Sequence, residues 1–309
     1  IKLRKKFIML SVWMIIAAIA VLCFSGMPAC LFSLRSMMGQ RIAVLFMCLG
    51  SFLGFAGIVV SFNNPTAPTL CLPWFLPWGQ FNVTIDAISL VFLVPVFIVP
   101  VLGSVYGLKY WKQSEHPENS HQLVLFYGLL AGSMALVVVA RDAILFLIAW
   151  EIMAISAYFA ATVEDDKPEV CKAGWVYLIA THVGVLCIIA MFALWRHATN
   201  SFAMIPVQAI PTDIAGTIFV LSLIGFGFKA GIMPLHVWLP GAHANAPSHV
   251  SAVMSGVMLK MGIYGIIRIT AMLGITTVWW GCVALTLGVI TGVAGIAFAI
   301  AQIDIKRML

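Results

Sequence analysis

The sequence predicts an all-α protein, a polytopic membrane bundle of about nine transmembrane helices, and two observations carry that expectation. Of the 309 residues, 62% are hydrophobic and only 9% charged, whereas an ordinary globular domain is roughly a quarter charged. The apolar residues also gather into segments of about 20, the length of helix needed to cross a hydrocarbon layer of roughly 30 Å. Helices satisfy their backbone hydrogen bonds within the segment, which lipid demands.

Nine spans follow in order: 7–24, 42–62, 86–108, 122–140, 143–162, 173–195, 214–235, 249–272 and 277–300. The first is preceded by Lys2, Arg4, Lys5 and Lys6. That cluster suits a signal-peptide n-region, and "MPAC" faintly resembles a lipoprotein cleavage box, but the many spans that follow favour a first spanning helix. Residue 1 is not methionine, so the chain is expected either to be a fragment or to include codons upstream of a start at Met9. The connection 63–85 carries four prolines, which rule out a helix, and its Trp74 and Trp78 suit a membrane interface. Ala252 with Gly256, and Gly288 with Gly292, give the eighth and ninth spans small-xxx-small faces for close helix approach.

Loop charges set orientation. With residue 1 outside, the inner loops hold Arg35, Arg41, Lys109, Lys112, Lys167, Lys172, Lys306 and Arg307, eight against the outer Arg141, Arg196 and Arg268. This favours that orientation, and the N-terminal basic cluster opposes it. The excess of 17 Lys and Arg over 11 Asp and Glu is therefore a topology signal, and its dispersal through the loops gives no nucleic-acid footprint. Seven scattered cysteines without a CxxC pair give no zinc or iron-sulfur pattern, and no glycine-rich phosphate loop supports nucleotide binding. No cofactor or metal of the chain's own is expected.

Three charges fall where lipid should be. Glu151 lies in "LFLIAWEIMAISAYFAA", and Lys229 and Lys260 lie in the seventh and eighth spans. A central ionised group costs about 2.5–3.5 kcal/mol on insertion scales, so the three cost roughly 7–10 before pairing and must face protein or water. The alternative is a helix-locking ion pair or a lysine snorkelling to the interface, which for Lys260 stands level with a functional role. Arg268, near a span end, is expected to snorkel, and Asp142 to cap a helix or sit at the membrane interface. Around Lys229 stand Gly225, Gly227 and Gly231, with Pro234 beyond, so the helix is expected to break there. Such breaks are tolerated at membrane depth only where protein buries them or a polar cavity lies alongside, and they mark ion sites in transporters. His236, His243 and His249 follow the break, each suited either to proton relay or to a hydrogen-bonding role in a loop. Their spacings of seven and six are not the i,i+3 or i,i+4 ligand pattern of a helical zinc site.

The residues "AWEIM" at 149–153, "FKAGIMPLHVWLPGAHANAPSHVSAVMSGVMLKMGIYGIIR" at 228–268 and "AQIDIKRML" at 301–309 resemble the antiporter-like proton-pumping subunits of respiratory complex I, multisubunit cation/proton antiporters and membrane-bound hydrogenases. Within that group they look most like the large membrane subunit of hydrogenase-4 and formate hydrogenlyase complexes. The resemblance implies an antiporter-like fold of inverted five-helix repeats with a broken seventh helix. The first repeat would span 122–272, after helices 1–3 in 1–121, and 273–309 would begin a second repeat. It implies that Glu151 and Lys229 gate proton movement, that Lys260 is the eighth-helix lysine of the hydrogenase branch, and that His236 and His243 lie in a loop motif, with His249 close by. Gly241 stands where the family usually has an acid, and Asn245 where it commonly has proline. The implied protein is a multi-pass subunit of a bacterial or archaeal inner membrane, partnered by other membrane and soluble redox subunits. The alternatives are a subunit of a sodium/proton antiporter and a structural anchor that moves no ions.

Overall fold

The computed structural model describes residues 2–33, 36–62, 67–76, 78–207, 210–274, 277–303 and 306, with side chains from residue 9 onward. Arg35 and Arg307 lie outside the described residues, as do the side chains of the N-terminal basic cluster. Nine helices among the described residues are long and apolar enough to cross a membrane. They match the nine expected spans one for one.

The chain divides into two compact units, Ile1–Glu164 with Pro247–Val257, and Asp165–Ala246 with Met258–Leu309. In the first, α1 (Lys2–Phe24), α2 (Met37–Phe62), α3 (Ala87–Tyr110), α4 (Ser120–Val139) and α5 (Ala143–Ala161) pack around α4, most of whose residues are buried. The short α9 (Ser248–Val253) joins this unit by packing on α3 and α5.

The 63–85 connection is not a helix, as its prolines require, but it is more ordered than its composition suggests. Strands β1 (Thr69–Leu72) and β2 (Phe81–Thr84) form an antiparallel hairpin with Thr69 opposite Thr84 and Leu72 opposite Phe81. The hairpin is fixed to the α4–α5 turn. The Arg141 N–H donates to the Asn82 carbonyl at 2.8 Å, and the Gln80 N–H donates to Asp142 Oδ2 at 3.1 Å. Asp142 also caps α5, as expected, its Oδ1 accepting from Ile144 N–H at 2.9 Å and Leu145 N–H at 3.4 Å.

In the second unit, α6 (Pro168–Thr199) and α10 (Leu259–Met272) both pack on α7 (Thr212–Ala230), and α8 (Leu239–Asn245) packs on α6. Missing side chains permit the two close approaches. A Cβ on Gly184 of α6 would sit 2.9 Å from the Gly225 carbonyl oxygen of α7. A Cβ on Gly262 of α10 would sit 2.6 Å from the Phe226 carbonyl oxygen. Backbone therefore meets backbone on both flanks of α7, within a turn or so of Lys229. The ninth span, α11 (Val278–Ala301), meets this unit where Trp280 stacks on Phe219, ring centroids 4.7 Å apart. Its Gly288 and Gly292 face open space within the chain. Gly256, by contrast, has its expected close neighbour in Val99.

Candidate functional site

Helix α7 stops at Ala230, one residue after Lys229. Gly231 takes a left-handed conformation, φ 71° and ψ 33°, which ends a helix at little cost only for a residue without Cβ. The chain then runs through turns to Trp238 before α8 begins, so the expected break lies beside the lysine. Helix ends leave carbonyls without intrahelical donors. One of these, on Phe228, accepts the Trp238 indole N–H at 2.7 Å, which ties the far side of the break back to the lysine's own turn.

Lys229 is 2% exposed. Its Nζ donates to the Tyr177 hydroxyl of α6 at 2.9 Å and stands 5.1 Å from the centre of that ring. Tyr177 is itself 1% exposed, and its ring meets Trp238 edge to face with centroids 5.1 Å apart. Its hydroxyl also lies 4.0 Å from Met258 Sδ. Sequence reasoning passes over Tyr177, because a tyrosine in an apolar span reads as core filling. The available signal was depth. Tyr177 is nine residues into α6, roughly 14 Å along the axis, too far in for its hydroxyl to be left without a partner.

His243 is buried in α8, outside the nine spans. Burial, and then the positive charge of Lys260, push its imidazole down to about 4, so the ring is neutral at pH 7. The two residues thus belong to one electrostatic neighbourhood in the second unit, with Lys260 exposed. His236 is half-buried in the turns after the break, its ring 6.1 Å from that of Phe298, and its Nδ1 has no hydrogen-bond partner among the described residues.

Glu151 and His249 belong to the first unit. Glu151 is half-buried on α5. His249 is buried, its ring 5.5 Å from that of Tyr127 and 6.0 Å from that of Tyr110. It borders a cavity of about 40 Å³ shared with Ser25, Gln40, Ser104 and Tyr127, room enough for a water molecule. Arg268 departs from expectation. It is 6% exposed, with Nε donating to the Tyr264 hydroxyl at 3.1 Å and its guanidinium 5.2 Å from that ring, so the charge is held inside the protein.

Residues 140–309 match the family described as "NADH:quinone oxidoreductase/Mrp antiporter, TM". The chain is 32% identical over 279 residues to Hydrogenase-4 component B of Escherichia coli (strain K12), covering 87% of this chain and 41% of that one. It is 29% identical over 232 residues to Formate hydrogenlyase subunit 3 of the same organism, covering 74% and 36%. The chain thus spans less than half the length of these curated relatives. In fold it is similar to a chain of the Mrp complex from Dietzia sp. DQ12-45-1b, with a TM-score of 0.82, 24% identity, and coverage of 96% and 32%. With nine long apolar helices among its described residues and more than half its length in the matched region, the chain is a multi-pass cell membrane protein that belongs to the NADH:quinone oxidoreductase/Mrp antiporter transmembrane family.

Proposed function

We propose that the chain is a proton-conducting membrane subunit of a redox-driven complex of the hydrogenase-4, formate hydrogenlyase or complex I type. Residues 122–272 act as its translocating repeat, 1–121 as the preceding helices and 273–309 as the start of a second repeat. One observation carries the reading: a lysine, Lys229, is buried to 2% exposure at the broken end of a spanning helix. A lysine is held inside a membrane at such cost where its charge is used.

In this reading Glu151 governs the charge on Lys229. A nearby carboxylate holds the lysine protonated, and its withdrawal or neutralisation leaves burial to favour proton release. The proton then passes toward Lys260, with His236, His243 and His249 as relays. His243, neutral at pH 7, offers one ring nitrogen to accept a proton and another to donate. Moving one charge against 100 mV requires about 2.3 kcal/mol. In this reading that energy comes from partner subunits carrying out hydrogenase or quinone-reductase chemistry, and the likeness to Hydrogenase-4 component B and Formate hydrogenlyase subunit 3 supports it.

The test is proton translocation by the assembled complex carrying Lys229→Ala. The expected outcome is intact assembly and electron transfer with proton translocation abolished; unimpaired translocation would remove the lysine from the mechanism.

A further inference from the structure

A proton carrier buried in a membrane must be tolerable both with and without its proton, and the two states need different neighbours. A lysine ammonium has three donors and no acceptor, whereas the neutral amine has two donors and a lone pair. A carboxylate neighbour, which only accepts, can take an N–H from either state but leaves the amine's lone pair without a donor. A hydrocarbon neighbour supports neither.

The Tyr177 hydroxyl supports both. Its oxygen accepts from Lys229 Nζ at 2.9 Å, and its own proton has Met258 Sδ within reach at 4.0 Å, a weak thioether acceptor. A half-turn about the phenol C–O bond exchanges the positions of hydrogen and in-plane lone pair. The O–H then points at the nitrogen it had been accepting from, and the bond given up is the weak one to sulfur. The ring need not move during this turn, and the edge contact with Trp238, itself held by the Phe228 carbonyl, keeps it in place.

We propose that Tyr177 is the positioning residue that keeps Lys229 hydrogen-bonded through its whole cycle, accepting from the ammonium and donating to the amine. Tyr177 keeps its own proton throughout. The proton that leaves Lys229 goes to the next group in the path, and one returns to the same nitrogen, so the tyrosine turns but is not ionised. The inference rests on the reading of Lys229 as a proton carrier.

The experiment uses membrane vesicles bearing the assembled complex, driven by formate or NADH according to which it oxidises. Electron transfer and acidification, read by quenching of an acridine dye, are recorded together. Tyr177→Phe retains the ring, its contact with Trp238 and its face toward Lys229, and loses only the hydroxyl. The expected result is normal assembly and electron transfer with the proton-to-electron ratio reduced about tenfold or more, as suits a lost hydrogen bond to a charged group. A normal ratio in Tyr177→Phe beside an abolished one in Lys229→Ala overturns this inference and leaves the lysine's role standing. A normal ratio in Lys229→Ala overturns both. If Tyr177→Phe fails to assemble, 3,5-difluorotyrosine at position 177 retains shape and hydroxyl while making it a stronger donor and a weaker acceptor. A changed ratio then supports the inference, and an unchanged one overturns it.

Discussion

Arg141 shows at the scale of one residue what a buried cation needs. Its Nη2 donates to Asp86 Oδ1 at 3.1 Å and to Ser89 Oγ at 2.6 Å, and its Nη1 to the carbonyls of Val138 at 3.1 Å and Ala140 at 2.7 Å. Replacing it by Met removes the cation beside Asp86, which keeps the Ser89 N–H as a donor at 2.9 Å, and takes a side-chain donor from the carbonyls of Val138 and Ala140. Because the Asp86 side chain remains 29% exposed, the expected loss is at the lower end for a broken ion pair, about 2–3 kcal/mol, seen as a lower melting temperature in detergent. His243 gives a pH-dependent counterpart. Its folded-state value is depressed to about 4 from an ordinary 6.5, so as pH falls through that window the unfolded chain binds a proton that the folded one refuses, and stability declines. His243→Gln should flatten the melting temperature between pH 6.5 and 4, and an unchanged slope would assign it to other groups. From sequence, Asp142 was legible as a cap because a short acid before an apolar run has few other uses. Arg141 was legible only as a loop charge, since its partners Asp86 and Ser89 lie more than 50 residues away along the chain.

At the scale of elements, the break in α7 was readable because three local signals coincide: glycines at 225, 227 and 231, a charge at 229 and a proline at 234. Each acts through its own backbone or side chain and needs no distant partner. The hairpin was not readable, because its strands are four residues long and its stability comes from Asp142 and the Arg141 backbone, which another part of the chain supplies. Tyr177 was hidden for the same reason, its meaning depending on a lysine 52 positions further on. The helix contacts themselves are testable at Gly262. A side chain there must push against the Phe226 carbonyl, which cannot swing aside as a side-chain tip can. Gly262→Val should cost about 1–3 kcal/mol through overpacking. A melting temperature equal to wild type would show that α10 and α7 do not depend on this approach.

For the whole molecule, the number and order of spans follow from composition and segment length, which is why the nine expected segments agree with the nine long apolar helices among the described residues. The division into two units could not be read that way. Residues Pro247–Val257 join the first unit although the residues on either side belong to the second, and this depends on α9 packing against α3 and α5. Within the second unit, the glycine approaches on either flank of α7 carry a mechanical consequence. A helix whose main chain is gripped from two directions can neither slide along its axis nor swivel without prising its neighbours apart. The protonation cycle at Lys229 is thereby left to rotations of side-chain groups within hydrogen-bonding reach of one another, against a stationary frame.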